Sequence, residues 1–122
     1  MTACQLCTPA ETLLENALAY ARFDSRPLGP GHVIVIPRRH VEDFFDLSAE
    51  EQAAVLDLLN RARALIVAKY APDGFNVGVN VGKAAGQTRM HVHVHLIARY
   101  AGDVPDPAGG VRCVLRTDLG AP

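Results

Sequence analysis

His91-Val92-His93-Val94-His95-Leu96-Ile97 constrains the fold more than any other stretch of this chain. Three histidines alternate with apolar residues, and alternation marks an extended strand whose successive side chains point to opposite faces. A strand is therefore expected over residues 90–99, with the imidazoles roughly 7 Å apart along one face. Val92, Val94 and Leu96 take the other face, which is apolar throughout and needs a core to cover it. Such a row of imidazoles can bind metal, attack an electrophile, or stand at an exposed polar edge. Burying several of them without partners would be costly.

The flanking patterns fill in the rest of the domain. Residues 18–23 read as a short strand, stopped by Ser25-Arg26-Pro27 and the turn Gly29-Pro30-Gly31. His32-Val33-Ile34-Val35-Ile36 is a continuous apolar run ended by Pro37, the pattern of a strand buried on both faces. Ser48 and Glu51 form a capping box, and Val55, Leu58, Leu59, Ala62, Leu65 and Ile66 recur at helical spacing up to about Tyr70. Residues 75–81 alternate as a strand, 82–87 form a loop, and a Gly- and Pro-rich stretch leads to a last short apolar piece over 111–115. This order predicts one α+β domain over 1–122, with a mainly antiparallel sheet, one long helix and an extended tail over 102–122.

Composition excludes several classes. Twelve basic and 13 acidic residues nearly cancel, so nothing draws the chain to nucleic acid or to a membrane surface. No apolar run reaches the roughly 18–20 residues of a membrane span. The first seven residues lack the regions of a secretory signal, so a cytoplasmic location is expected. Cys4 and Cys7 form a C-x-x-C pair, while Cys113 stands alone. An odd count in a reducing compartment argues against a disulfide framework, and a zinc site built on one C-x-x-C must recruit histidines. A cupin-like metal site would need a glutamate just beyond the histidines, and residues 96–100 hold none; the nearest downstream carboxylate is Asp103. An all-histidine catalytic metal remains open as a class.

Residues 91–97 resemble the His-φ-His-φ-His-φ-φ signature of the histidine triad (HIT) nucleotide-binding proteins, where φ is apolar. Residues 30–41 resemble that family's strand and turn before its helix. Residues 75–82 with Gly86-Gln87-Thr88 resemble its phosphate-binding strand and loop. The segments are collinear from about residue 4 to 112. The resemblance implies a HIT-like fold and a covalent mechanism in which His93 attacks the α-phosphorus of a nucleotide. Water then resolves the nucleotidyl-histidine. A neutral imidazole suits this role when its second nitrogen is held as a donor. His95 is implied to hydrogen-bond the α-phosphate or the bridging atom, and His32 to support the network. Gln87 and Thr88 are implied to contact the bridging oxygen and leaving phosphate, Asn80 to bind phosphate, and Asp24 to bind the ribose. The catalytic set is thus His93, His95, His32 and Gln87.

The zinc-containing bacterial branch of the family implies a structural zinc on Cys4, Cys7, His40 and His91, with the first two in an N-terminal segment over 1–10. It also implies a homodimer, for which Leu56 and Val67, off the helix's main apolar stripe, are candidate contacts. The implied substrates are adenine-type conjugates, either dinucleoside polyphosphates or nucleoside phosphoramidates. Two other readings stand beside this one: a metal-dependent hydrolase using the histidine row as ligands, and a non-catalytic nucleotide sensor. Tyr20, Arg22 and Phe23 either line a base pocket or belong to the core. Arg99 and Arg112 either meet polyphosphate charge or are solvated, and Cys113 is expected in the core or an interface.

Overall fold

The apolar runs pair into a single antiparallel sheet, and the computed structural model describes residues 4–115. Its strands are β1 (Leu14–Glu15), β2 (Ala19–Phe23), β3 (Val33–Pro37), β4 (Gly74–Val79) and β5 (Val94–Arg99). They lie in the order β1-β2-β3-β5-β4, with every neighbouring pair antiparallel. This is the expected α+β architecture. β3 is central and buried at all positions, as its continuous apolar run requires.

The helix α1 (Ala49–Tyr70) crosses one face of the sheet. Its start is set by the capping box: Ser48 Oγ accepts from the Glu51 amide, and the Glu51 carboxylate accepts from the Ser48 amide. Arg39 grips the same carboxylate at 2.7 and 3.1 Å, fastening the helix start to the turn after β3. That hydrogen-bonded guanidinium holds the Glu51 carboxyl down at about 2. The helix ends at Ala71, left-handed at φ 49°, and Pro72 cannot continue it. Val55, Leu58, Ala62 and Ile66 bury against Ala19, Ala21, Val33, Val35, Val94, Leu96 and Ala98. Gly31 lies where backbone meets helix. A Cβ there would sit 3.0 Å from Ile66 Cγ2, and its φ of +83° suits glycine alone.

On β5 the alternation holds: Val94, Leu96 and Ala98 face α1, while His95 and Ile97 face away. β4 repeats the pattern, with Gly78 beside His95 and Asn76 beside Ile97. The second face is covered over β2 and β3 by the N-terminal segment, where Leu6 packs on Tyr20, Ile34 and Ile36. It stays open over β5 and β4, and that opening is the cleft.

The elements differ from expectation in several places, some by a single residue at a strand end. The histidine strand begins at Val94 rather than residue 90, because the Val92 amide bonds the Val41 carbonyl (2.7 Å) outside the sheet. β4 ends at Val79. β1 was not foreseen, and two residues are too few to show alternation. The described part of the tail is not extended: it turns into a 3-10 helix over Gly110–Leu115 that meets β4. Residues 1–3 and 116–122, the ends of the expected N-terminal segment and tail, lie outside the described residues. Among the described residues no helix is long and apolar enough to cross a membrane.

Candidate active site and metal centre

His93 Nδ1 lies 3.0 Å from the carbonyl oxygen of His91. A carbonyl can only accept, so the proton sits on Nδ1 and Nε2 presents a lone pair. A second chain of bonds fixes His95. The Leu28 amide donates to His32 Nδ1 at 3.0 Å, which leaves the His32 proton on Nε2. That proton points at His95 Nδ1, 2.9 Å away, so neutral His95 carries its own proton on Nε2. Asp24 Oδ2 stands 3.4 Å from His32 Nε2 and 3.7 Å from His95 Nδ1. The His93 and His95 rings converge to 5.0 Å between centroids, closer than the strand repeat of roughly 7 Å. His93 precedes the strand and tilts toward its neighbour.

Burial lowers the pKa of His32. Burial first, then the neighbouring His93 and His32, pushes His95 down to about 4 against the pull of Asp24. Both rings are therefore neutral near pH 7, as the bond chain requires. The consequence for stability has a definite sign. A histidine whose folded pKa is depressed is neutral in the fold and protonates readily when unfolded. Its stabilisation is complete above the ordinary 6.5 and is lost as pH falls towards 4. The full span is worth about 3 kcal/mol at most. Urea unfolding at pH 7 and pH 4.5 should show this loss, and His95→Asn should flatten it. An unchanged slope in the variant would refute the assignment.

Asp24, His32 and His95 offer ligand atoms within 4.8 Å of one another. The Leu28 amide nevertheless occupies the His32 Nδ1 lone pair, so His32 Nε2 is a donor and could ligate only as an imidazolate. Nor do the triad rings converge on one ion. His91 Nδ1 faces thiols, His93 Nδ1 faces a carbonyl, and His95 Nδ1 faces His32.

The second cluster brings Cys4, Cys7, His40 and His91 together, again with all ligand atoms within 4.8 Å. Cys7 Sγ is 3.2 Å from His40 Nδ1, while His91 Nδ1 is 3.4 Å from Cys4 Sγ and 3.5 Å from Cys7 Sγ. The 3-10 turn Gln5–Cys7 aims both sulfurs one way, and buried Leu6 seats it on the sheet. His91 is fully buried, and its Nε2 donates to the Pro37 carbonyl at 2.7 Å, turning the Nδ1 lone pair to the thiols. Desolvation, then the adjacent Cys4, raises the Cys7 thiol.

Past β4, Gly82 (φ +87°) and Gly86 (φ +95°) bracket a 3-10 turn over Lys83–Ala85. Gln87 lines the same cavity as His93 and His95, and its side chain is also tied to the backbone around it. Its Oε1 accepts from the Gly82 amide at 2.8 Å, its Nε2 donates to the Glu42 and Arg89 carbonyls at 2.8 and 3.1 Å, and only 5% of it is exposed. The side chain is committed to holding the loop, because these backbone groups would otherwise be left unsatisfied. Thr88 and Asn80 remain exposed at the cleft. A cavity of about 240 Å³ lies between Asp24, Asn80, Thr88, Arg89, His93 and His95. It adjoins a second cavity of about 380 Å³ walled by Leu28, Ile97 and Val111.

The family model described as HIT domain matches residues 5–102. The chain belongs to the HIT domain family. It is 39% identical over 87 residues to the AP-4-A phosphorylase of Mycobacterium tuberculosis, covering 70% of this chain and 45% of that protein. It is 35% identical over 95 residues to a bifunctional bis(5'-adenosyl)-triphosphatase/adenylylsulfatase of Arabidopsis thaliana, covering 78% of this chain and 53% of that one. The chain thus spans about half the length of these curated relatives. A Zn-bound histidine triad family protein from Mycobacterium smegmatis superposes with a TM-score of 0.75, at 29% identity and 98% coverage of both chains.

For several side chains of this HIT domain the structure chooses between the alternatives left open above. Tyr20 is buried and bonds the Leu6 carbonyl, Arg22 pairs with Glu11, and Phe23 packs edge-on against Tyr70. None of them lines either cavity. Arg99 is held by Asp103 and Asn76, Arg112 is exposed, and half-buried Cys113 donates to the Ala108 carbonyl outside the core. The wall residue Ile97 could have been found by carrying the two-residue period one step past His95. Arg26 and Arg89 of the smaller cavity had no such signal beyond lying next to motif residues.

Proposed function

We propose that this HIT domain is a nucleotide hydrolase/nucleotidyltransferase that moves a nucleotidyl group, adenylyl foremost, to His93 and then to water. One observation carries the reading: backbone groups hold a lone pair on His93 Nε2 and a proton on His95 Nε2 at the same cavity. Nε2 of His93 forms the N–P bond while the bridging bond breaks, and the leaving group departs with the electron pair. The His95 Nε2–H steadies phosphate charge in the low-dielectric cleft. Water then attacks the phosphorus, the N–P bond breaks with its electron pair returning to His93 Nε2, and the proton of the water leaves to solvent, which releases the nucleoside monophosphate and restores the neutral imidazole. Asp24, whose Oδ2 also lies beside His32 and His95, is assigned to the ribose, and Asn80 with Thr88 to phosphate. The names of the two curated relatives support adenine dinucleotides as the substrate class.

The test is to acid-free quench the protein during turnover of an α-phosphate-labelled dinucleoside polyphosphate. Label should appear on the chain, survive base and be lost in acid, as a phosphoramidate bond requires. Steady turnover with no labelled protein at any time would overturn the covalent step.

We further propose a structural zinc on Cys4, Cys7, His40 and His91. Bonds of about 2.3 Å to sulfur and 2.0 Å to nitrogen at a tetrahedral angle place S and N about 3.5 Å apart. The sulfur–nitrogen separations of 3.2 to 3.5 Å fit. These four residues complete the shell, so the ion would hold the N-terminal segment to His91 and take no part in the chemistry. A homodimer belongs to the same reading: Leu56 and Val67 stand 58% and 41% exposed on α1, and Leu56 shares a groove with exposed Val77 of edge strand β4. Free paired thiols suit a reducing, cytoplasmic setting.

A further inference from the structure

The smaller cavity is lined by two arginines that nucleotidyl transfer itself does not require. We infer that Arg26 and Arg89 select the leaving group, favouring a chain of phosphates over an uncharged amine. The inference rests on the nucleotidyl-transfer reading and names the substrate class for it.

Charge pairing and position together separate these residues from their peers: among the described residues Arg63 and Arg112 also meet no carboxylate, but neither lines this cavity. Arg22, Arg38, Arg39, Arg61 and Arg99 each meet a carboxylate. Among the described residues neither Arg26 nor Arg89 does, although both border the cavity that holds His93 and His95. Asp24 is the single carboxylate of that lining, and it is already engaged. Its Oδ1 accepts from the Arg26 backbone amide at 3.0 Å, while Oδ2 lies beside His32 and His95. The cavity therefore carries two guanidinium charges against one carboxylate, and that carboxylate forms an ion pair with neither arginine.

Their placement spans the mouth. Arg26 lies in the loop between β2 and β3, and Arg89 lies between the glycine loop and the triad. Arg89 Nη2 reaches across to Ser25 Oγ at 3.4 Å, next to Arg26. Both arginines thus border one opening, and guanidinium forks match the oxygens of phosphate. Cleavage of a phosphoanhydride leaves the electron pair, and so negative charge, on the departing phosphate oxygen. Guanidinium groups at that point stabilise charge as it develops. An amine leaving group builds no such charge and needs a proton, which an arginine does not supply.

The experiment compares kcat/KM for diadenosine tetraphosphate and for adenosine 5′-phosphoramidate in wild type and in R26A/R89A. The substrates share the adenylyl half and differ in leaving group. The tetraphosphate should lose about 100-fold more than the amide, roughly tenfold per lost charge-assisted contact. R26K/R89K should recover part of the loss, and added salt should weaken wild type more than R26A/R89A. Equal losses on both substrates would overturn the proposal, because the arginines would then serve the shared half. Binding of a methylene-bridged tetraphosphate analogue relative to AMP gives the same comparison without turnover. A wild type that binds both ligands and cleaves neither substrate would refute nucleotidyl transfer, while the binding ratio would still decide the role of the arginines.

Discussion

His93→Ala is expected to lower kcat by about 10⁴-fold or more, because removing a nucleophile leaves only positioning and hydrogen bonding. The fold should survive. His93 is half-buried on the cleft side, outside the cluster that packs under α1. Unfolding midpoints for the variant should therefore stay near wild type, which separates lost chemistry from lost structure. His93→Gly offers the sharper experiment. It opens a space whose edge is the His91 carbonyl, an acceptor already placed to orient an imidazole N–H. Added imidazole should recover a measurable fraction of turnover, with release of a nucleotidyl-imidazole. Turnover in His93→Ala above a tenth of wild type would remove His93 from the nucleophile's role.

Cys4→Ser/Cys7→Ser is expected to have the largest effect on stability. Wild type should carry about one zinc per chain by elemental analysis, and the variant none. Structural zinc sites in small peptides contribute on the order of 10 kcal/mol. Here the core under α1 is built from residues other than the four ligands, so the loss should be smaller, about 3 kcal/mol. That corresponds to a Tm lower by about 10 °C in a chain of this size. A chelator should reproduce the drop in wild type and leave the variant unmoved. Wild type that is metal-free, with the same Tm as Cys4→Ser/Cys7→Ser, would sink the zinc reading.

What could be read in advance follows from how local each signal is. The capping box of Ser48 and Glu51 and the unbroken run of β3 are short-range, and both stand where expected. The clustering of His40 and His91 with the C-x-x-C followed from resemblance alone, since 84 residues separate Cys7 from His91. The strand start was misplaced because an extended segment alternates its side chains whether or not it pairs, and Val92 bonds a turn instead. Gln87 shows a different limit. An amide side chain can serve a ligand or a backbone equally well, and the contacts of Gln87 with Gly82 and Glu42 depend on tertiary positions that no local pattern gives. The charge pairing of Arg26 and Arg89 was also out of reach, since it depends on where every carboxylate ends up.

Both proton-fixing contacts of the cleft come from the main chain: the His91 carbonyl for His93, and the Leu28 amide for His32 and, through it, His95. No codon change deletes a carbonyl, and only proline deletes an amide. Leu28 is itself 78% exposed, so replacing its side chain leaves the amide contact in place. The protonation pattern of the site is thus shielded from most mutation, and the neighbouring side chains can diverge to meet new leaving groups without resetting it.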